Sequence, residues 1–287
     1  MFSLLRRAVA APAVGQGLRH LSTPVRQNAF KAAIAAKERK QIGLWSGLRS
    51  TMVAEMISHN SGMDWFVIDM EHLPNEINDV LVQLQASQYG KAEPVVRVPW
   101  NDAVLVKRVL DLGAQSILFP WINDAEQAAA AVASTRYPPH GVRGVMSLAR
   151  MNQYGTNGPA YFHECDAQIC RIVQVETVEA VSNIEAIAAV DGVDALFVGP
   201  SDLAASMGHI GNPAHPEVRA AIADAVRRIA ASGKAGGFLS ANPDDCKWVL
   251  ELGVDFVAVG SDVALLTNLC RAKAEEFHAF AAGLKPK

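Results

Sequence analysis

From Gln41 to the C-terminus, short apolar runs rich in β-branched and aromatic residues alternate with amphipathic runs of ten or more residues. That rhythm predicts repeated strand–helix units and a mainly parallel sheet. The apolar runs fall at 41–48 (QIGLWSGL), 65–70 (WFVIDM), 94–98 (PVVRV), 115–119 (QSILF), 170–175 (CRIVQV), 194–199 (DALFVG), 235–239 (AGGFL) and 255–260 (DFVAVG). Helical periodicity and start signals predict helices over 51–61, 75–87, 102–112, 124–134, 178–189, 216–231, 243–252 and 262–282. Eight units are enough to close a (β/α)8 TIM barrel, the α/β fold class expected here. A doubly wound open sheet is the alternative; no G-x-G-x-x-G follows the first strand and no G-x-x-x-x-G-K-[ST] occurs to support it. Two segments break the rhythm, 136–165 and 207–215. Both are long and rich in Gly, Pro or Asn, which predicts a place on the active rim or at a subunit contact.

Such a barrel keeps its chemistry at the C-terminal ends of its strands, so polar residues there are the candidates. Gln174 and Glu176 close one strand and Ser201 and Asp202 follow the next. Two carboxylates on one rim can hold a hard divalent cation, which prefers oxygen ligands. From this stretch alone, two solvated loop carboxylates remain the alternative. The strand at 65–70 runs into Asp69, Glu71 and His72, where an acid beside an imidazole can raise its basicity and make a general base. Arg97 sits inside an apolar strand; a buried guanidinium needs an anion, either a developing substrate oxyanion or an interior carboxylate. Asp111, at a helix end, is a weaker candidate. Trp45, Trp100 and Trp121 fall near strand ends, where they suit a core or a pocket wall.

Composition narrows the function. The chain has 287 residues, half of them hydrophobic and 19% charged, enough for one large core. A net charge of -3 disfavours nucleic acid as a partner, since phosphate binding needs a clustered basic surface. No apolar run reaches the ~18 residues that span a bilayer. Four cysteines without C-x-x-C spacing give neither a zinc site nor a disulfide framework. Arg6, Arg7, Arg19, Arg26, Lys31 and Lys37 all precede the first acid, Glu38. An acid-free, Arg-bearing start predicts a mitochondrial transit peptide over residues 1–25, its end falling between 21 and 40, with the barrel domain over 26–287 and a matrix location. If that basic segment is no targeting signal, the protein is cytoplasmic. A second possibility makes 27–40 the first helix of the domain.

Together these residues resemble the HpcH/HpaI aldolase family of metal-dependent pyruvate aldolases. The stretches that carry the likeness are GLWSGL (43–48), DWFVIDMEHLPN (64–75), PVVRVPWND (94–102), LDLGAQ (110–115), TRYPPHGVRGV (135–145), VQVET (173–177), DGVDALFVGPSDLAASMG (191–208) and GNPAHPEV (211–218). The resemblance implies a modified barrel whose last helix swaps between subunits of a homo-oligomer, a hexamer or trimer. It implies a divalent cation, Mg2+ first with Mn2+ or Co2+ as alternatives, on Glu176 and Asp202. It implies that Gln174, Ser201 and Arg97 contact a small 2-oxo acid, that Arg97 steadies an enolate, and that His72 is the base with Asp111 raising its basicity. Met70 departs from the glycine found in many bacterial members, which bears on pocket width. The implied activity is lyase cleavage of a 4-hydroxy-2-oxo acid to pyruvate and an aldehyde, a retro-aldol reaction through a metal-stabilised pyruvate enolate. Oxaloacetate decarboxylation at the same site is the alternative, and a non-catalytic barrel is the reading from a different class.

Overall fold

In the structure, a computed structural model, residues 25–284 are described; nearly all of the expected targeting segment lies outside them. In chain order the elements are α1 (Ala29–Ala36), β1 (Gln41–Ser46), α2 (Thr51–Asn60), β2 (Trp65–Asp69), α3 (Ile77–Ala86), β3 (Glu93–Arg97), α4 (Ala103–Asp111), β4 (Ser116–Phe119) and α5 (Ala125–Thr135). There follow α6 (Gly158–Gln168), β5 (Cys170–Val175), α7 (Val178–Ser182), α8 (Ile184–Ala188), β6 (Ala195–Val198) and α9 (Pro200–Ser206). The chain ends with α10 (Pro216–Ala231), β7 (Ala235–Leu239), α11 (Pro243–Leu252), β8 (Phe256–Ser261) and α12 (Asp262–Ala282). All eight strands pair in parallel, in sequence order, and close into a barrel.

Strand alternation builds two cores. Phe66 and Ile68 of β2 face outward into the layer between sheet and helices, whereas Trp65 and Val67 point inside. The interior stacks these with Trp45, Val95, Leu118, Ile172, Phe197 and Phe256. Its lower end is closed by α1, whose Phe30 lies 5.4 Å from Trp65 and 5.5 Å from Phe256 between ring centroids. Asn28 caps that helix and also donates through Nδ2 to Ser116 Oγ at 2.8 Å. The second possibility for residues 27–40 is therefore the one observed, as a shorter helix that plugs the barrel.

Three departures from the sequence reading have local causes. The predicted helix over 178–189 is broken at Asn183, whose Nδ2 donates to Asn123 O at 2.8 Å. The short α9 starts at Pro200 directly after a strand, so its few residues read as loop. The segment 136–165 runs into α6 and does not lie on the active rim of its own chain. It follows a helix, and helix-to-strand connections fall at the N-terminal end of a barrel. There Arg150 Nη1 donates to Leu112 O at 2.7 Å, at the foot of α4. Its exposed Val142, Val145, Met146, Leu148 and Tyr154 leave the subunit-contact reading in place. The 207–215 segment follows α9 and does reach the C-terminal rim, where Pro213 lines a cavity.

Gly237 of β7 lets the two inner rings meet. A Cβ there would fall 2.3 Å from Phe256 Cζ and 2.5 Å from Phe197 Cδ2. Gly237→Ala should destabilise the fold by about 1–3 kcal/mol, read as a lower urea midpoint. An unchanged midpoint would show that the interior is looser than this packing.

Candidate active site and metal centre

The same alternation continues upward from hydrocarbon to charge. Above Trp65 and Val67 the next inward residue of β2 is Asp69; above Val95 on β3 it is Arg97, and above Ile172 on β5 it is Gln174, then Glu176. Registry sets Asp69 directly beside Arg97. Arg97 Nε and Nη2 donate to the two Asp69 oxygens at 2.8 and 2.7 Å, the planar fork that a carboxylate matches. Nη1 lies 2.6 Å from Glu71 Oε2 and 3.5 Å from Gln174 Oε1. The guanidinium stands 4.9 Å over the Trp45 ring, and Trp45 Nε1 donates to Asp69 Oδ2 at 3.3 Å.

Glu176 sits just past β5 and is buried. Its Oε1 accepts from Trp121 N at 2.7 Å and its Oε2 from Gln174 Nε2 at 2.6 Å. Gly199 makes room for it, since a Cβ there would lie 2.4 Å from Glu176 Oε2. Ser201 and Asp202 come from the first turn of α9 and line the same cavity of about 680 Å³, with Trp45, His72, Arg97, Phe197, Leu239 and Ser261 among its walls.

Electrostatics show a deficit of positive charge. Burial pushes the Glu176 carboxyl up; the Trp121 N–H opposes this, the charges of Asp202 and Glu71 add to it, and the result is about 7. Burial likewise raises Glu71, against the pull of Arg97 and His72 and with the push of Asp69 and Asp202. For Asp69 burial acts upward too, but Arg97 outweighs it and holds the carboxyl below its usual range. Four carboxylates thus crowd one guanidinium that is already paired.

The structure brings together His72, Arg97, Gln174, Glu176, Ser201 and Asp202 around that cavity. It does not bring Asp111 to them. Asp111 ends α4 at the opposite rim, where it accepts from Arg143 Nη2 at 3.0 Å. His72 keeps a side chain 63% exposed, with Glu71 at 3.7 Å. Asp69, which the sequence suggested as a partner of His72, is the partner of Arg97, and the signal for this was the period of two in β2 and β3. A second cleft, about 790 Å³, opens between the end of α5 and α6. There Arg136 is paired to Asp166 and Asp191, and burial pushes the Cys165 thiol up, so no comparable reactive set forms.

Residues 41–268 match the family described as HpcH/HpaI aldolase/citrate lyase. The chain belongs to this family. It is 49% identical over 261 residues to a 4-hydroxy-2-oxo-heptane-1,7-dioate aldolase of Escherichia coli, covering 91% of this chain and 98% of that protein. Among solved structures, an HpcH/HpaI aldolase/citrate lyase family protein from Burkholderia cenocepacia superposes with a TM-score of 0.85 at 39% identity, covering 88% of this chain and all of that one. Macrophomate synthase does so with a TM-score of 0.78 at 26% identity, covering 89% of this chain and 90% of that one. Membership of the family makes the chain a carbon–carbon lyase.

The raised Glu176 carboxyl has a consequence for stability. In metal-free protein the native state takes up a proton that the unfolded chain, with its ordinary value of 4.5, has already lost below about 7. The contribution is full below the unfolded value and is lost as pH rises through about 7. Urea midpoints of metal-stripped protein should fall across that window, and Glu176→Gln should flatten the fall. Equal slopes for both proteins would contradict the burial of an uncompensated charge.

Proposed function

We propose that the chain cleaves a 4-hydroxy-2-oxo acid to pyruvate and an aldehyde, using a divalent cation held by Glu176 and Asp202. The crowding of four carboxylates around one paired guanidinium carries this reading, because charge left uncompensated in a partly buried cavity needs a cation. The donor set fits Mg2+, with Mn2+ or Co2+ as alternatives: two carboxylates supply oxygen, and the open cavity leaves room for water or a bidentate substrate. When bound, such an ion supplies Lewis-acid polarisation of the substrate's 2-oxo group.

The chain's own residues would do the rest. Gln174, whose Nε2 is 2.6 Å from Glu176 Oε2, orients that carboxylate and stands at the floor of the substrate pocket. Ser201 borders the position of the substrate's carboxylate. Arg97, immobilised by Asp69 and Trp45, presents fixed donors to an oxygen that gains charge as the C3–C4 bond breaks. His72, half in solvent at the mouth, accepts the C4 hydroxyl proton so that the aldehyde can leave. The likeness to 4-hydroxy-2-oxo-heptane-1,7-dioate aldolases supports a dicarboxylic substrate. The acid-free composition of residues 1–25 supports a mitochondrial address, and mass measurement of the mature N-terminus in its own cells would check it.

Within one chain Asp111 and His72 stand at opposite rims, so Asp111 can tune His72 only from a neighbouring copy. Two features support an oligomer. The long helix α12 buries only Asp262, which accepts from Gly47 N at 2.9 Å, and exposes Leu265, Leu266, Leu269, Phe277 and Phe280. Exposed apolar residues also lie along 142–154, the segment whose Arg143 pairs with Asp111.

Chelation should abolish cleavage, and added Mg2+ or Mn2+ should restore it. Glu176→Ala should weaken metal binding, whereas Arg97→Ala should keep the metal and lower kcat by roughly 10²–10³-fold. Full turnover by the metal-free protein would sink the mechanism, and faster loss of CO2 from oxaloacetate than cleavage of any hydroxy-oxo acid would replace the substrate. For the shared site, co-refolding His72→Ala with Asp111→Asn chains should recover activity that neither variant has alone. No recovery in mixed oligomers would mean that Asp111 does not serve a neighbour's base.

A further inference from the structure

The GHIGNPAHPE stretch (208–217) has no part in the site above apart from Pro213 at the cavity wall. Its fold nevertheless gathers metal-binding side chains. Gly208 and Gly211 adopt positive φ of 82° and 76°, which glycine reaches without strain. The turns they allow are tied by His209 N to Ala204 O at 2.7 Å, Asn212 N to His209 O at 2.9 Å and His215 N to Asn212 O at 3.1 Å. Two imidazoles six residues apart are thereby stacked, with centroids 3.6 Å apart and planes at 15°. Glu217, in the first turn of α10, completes the group: His209 Nε2 lies 3.0 Å from its Oε2, and its N–H donates to His215 Nδ1 at 3.3 Å.

We propose that His209, His215 and Glu217 form a second divalent-metal site on the loop between α9 and α10, one that takes Zn2+ or a similar transition ion. One ligating atom from each residue lies within 4.8 Å of the other two. Zinc bonds of about 2.0–2.2 Å put neighbouring ligand atoms roughly 3.3 Å apart, so the set closes with side-chain shifts of about 1 Å. Those shifts are cheap here, because Glu217 is largely exposed and both rings are partly so. Two histidines and one carboxylate suit a borderline ion, unlike the all-oxygen pair of Glu176 and Asp202 that suits Mg2+. An ion here would brace the loop that carries Pro213 without touching the reacting atoms.

The test strips the full-length protein with chelator, dialyses it to equilibrium against Zn2+ and counts bound metal by mass spectrometry. Wild type should bind two ions per chain, since zinc also enters the oxygen site. His209→Gln with His215→Gln should bind one. Glu176→Gln with Asp202→Asn should also bind one, and that ion should resist competition by excess Mg2+. Glu217→Gln changes only an exposed carboxylate and cannot be confused with misfolding; it should weaken the Mg2+-resistant ion by at least about tenfold. A histidine double variant or Glu217→Gln that binds zinc as wild type does would overturn the second site. If instead the Glu176 and Asp202 variant binds as much zinc as wild type, the active-site reading fails while this one stands on its own variants.

Discussion

The fork between Arg97 and Asp69 governs what the rest of the cavity can do. A guanidinium at the end of an apolar strand is very costly to bury alone, and the neighbouring strand supplies its carboxylate at the same height through the β2–β3 register. The pair is then clamped beneath by Trp45, which touches both members. Because Asp69 takes the Nε–Nη2 edge of the guanidinium and Glu71 lies at Nη1, Arg97 offsets the burial of Glu176 only in part. That acid, drawn into the same interior column by β5, keeps its charge problem, and its raised proton affinity records it. The proposed roles, Arg97 as a fixed cation for a developing oxyanion and the remaining acids as holders of a metal, would thus both follow from a single ion pair.

Much of this was legible in the chain itself. The alternation of apolar runs with amphipathic ones specified eight units, and strand boundaries shifted by only one or two residues. Glu176, Asp202, Gln174 and Arg97 could be placed on one rim because each follows or ends a strand, and strand ends are marked by the switch from β-branched residues to polar ones. The pairing of Asp69 with Arg97 needed one more step. Both lie an even number of residues above interior positions of adjacent strands, yet the register between strands is set by packing that no local pattern reports. Helices α6 and α9 escaped because one lies in a Gly- and Asn-rich segment and the other is shorter than the window over which periodicity is measurable.

Asp111 shows a different limit. Sequence distance along a βα unit carries a sign: a residue that follows a strand lies at the catalytic rim, and one that follows a helix lies at the other. By that rule alone Asp111 and the 136–165 segment belong to the N-terminal face, and the contact of Asp111 with buried Arg143 agrees. A reading that assigns Asp111 to the base therefore demands a second chain, and the demand comes from topology before any interface is known. The exposed apolar residues of 142–154 and of α12 are the surfaces on which such a contact would be made.

The geometry of that contact constrains the assembly. Joining the N-terminal face of one barrel to the C-terminal rim of another uses two different patches. Related by a two-fold axis, two antiparallel barrels satisfy both sites of the pair at once; related by any other rotation, the contact must close into a ring to avoid growing without limit. In either case, on the proposed reading, every site would draw its metal ligands and Arg97 from one chain and the tuning acid from another. Binding of a 2-oxo acid would then depend on the fold of a single barrel and proton transfer at His72 on association, so dilution would lower kcat before it weakened metal affinity.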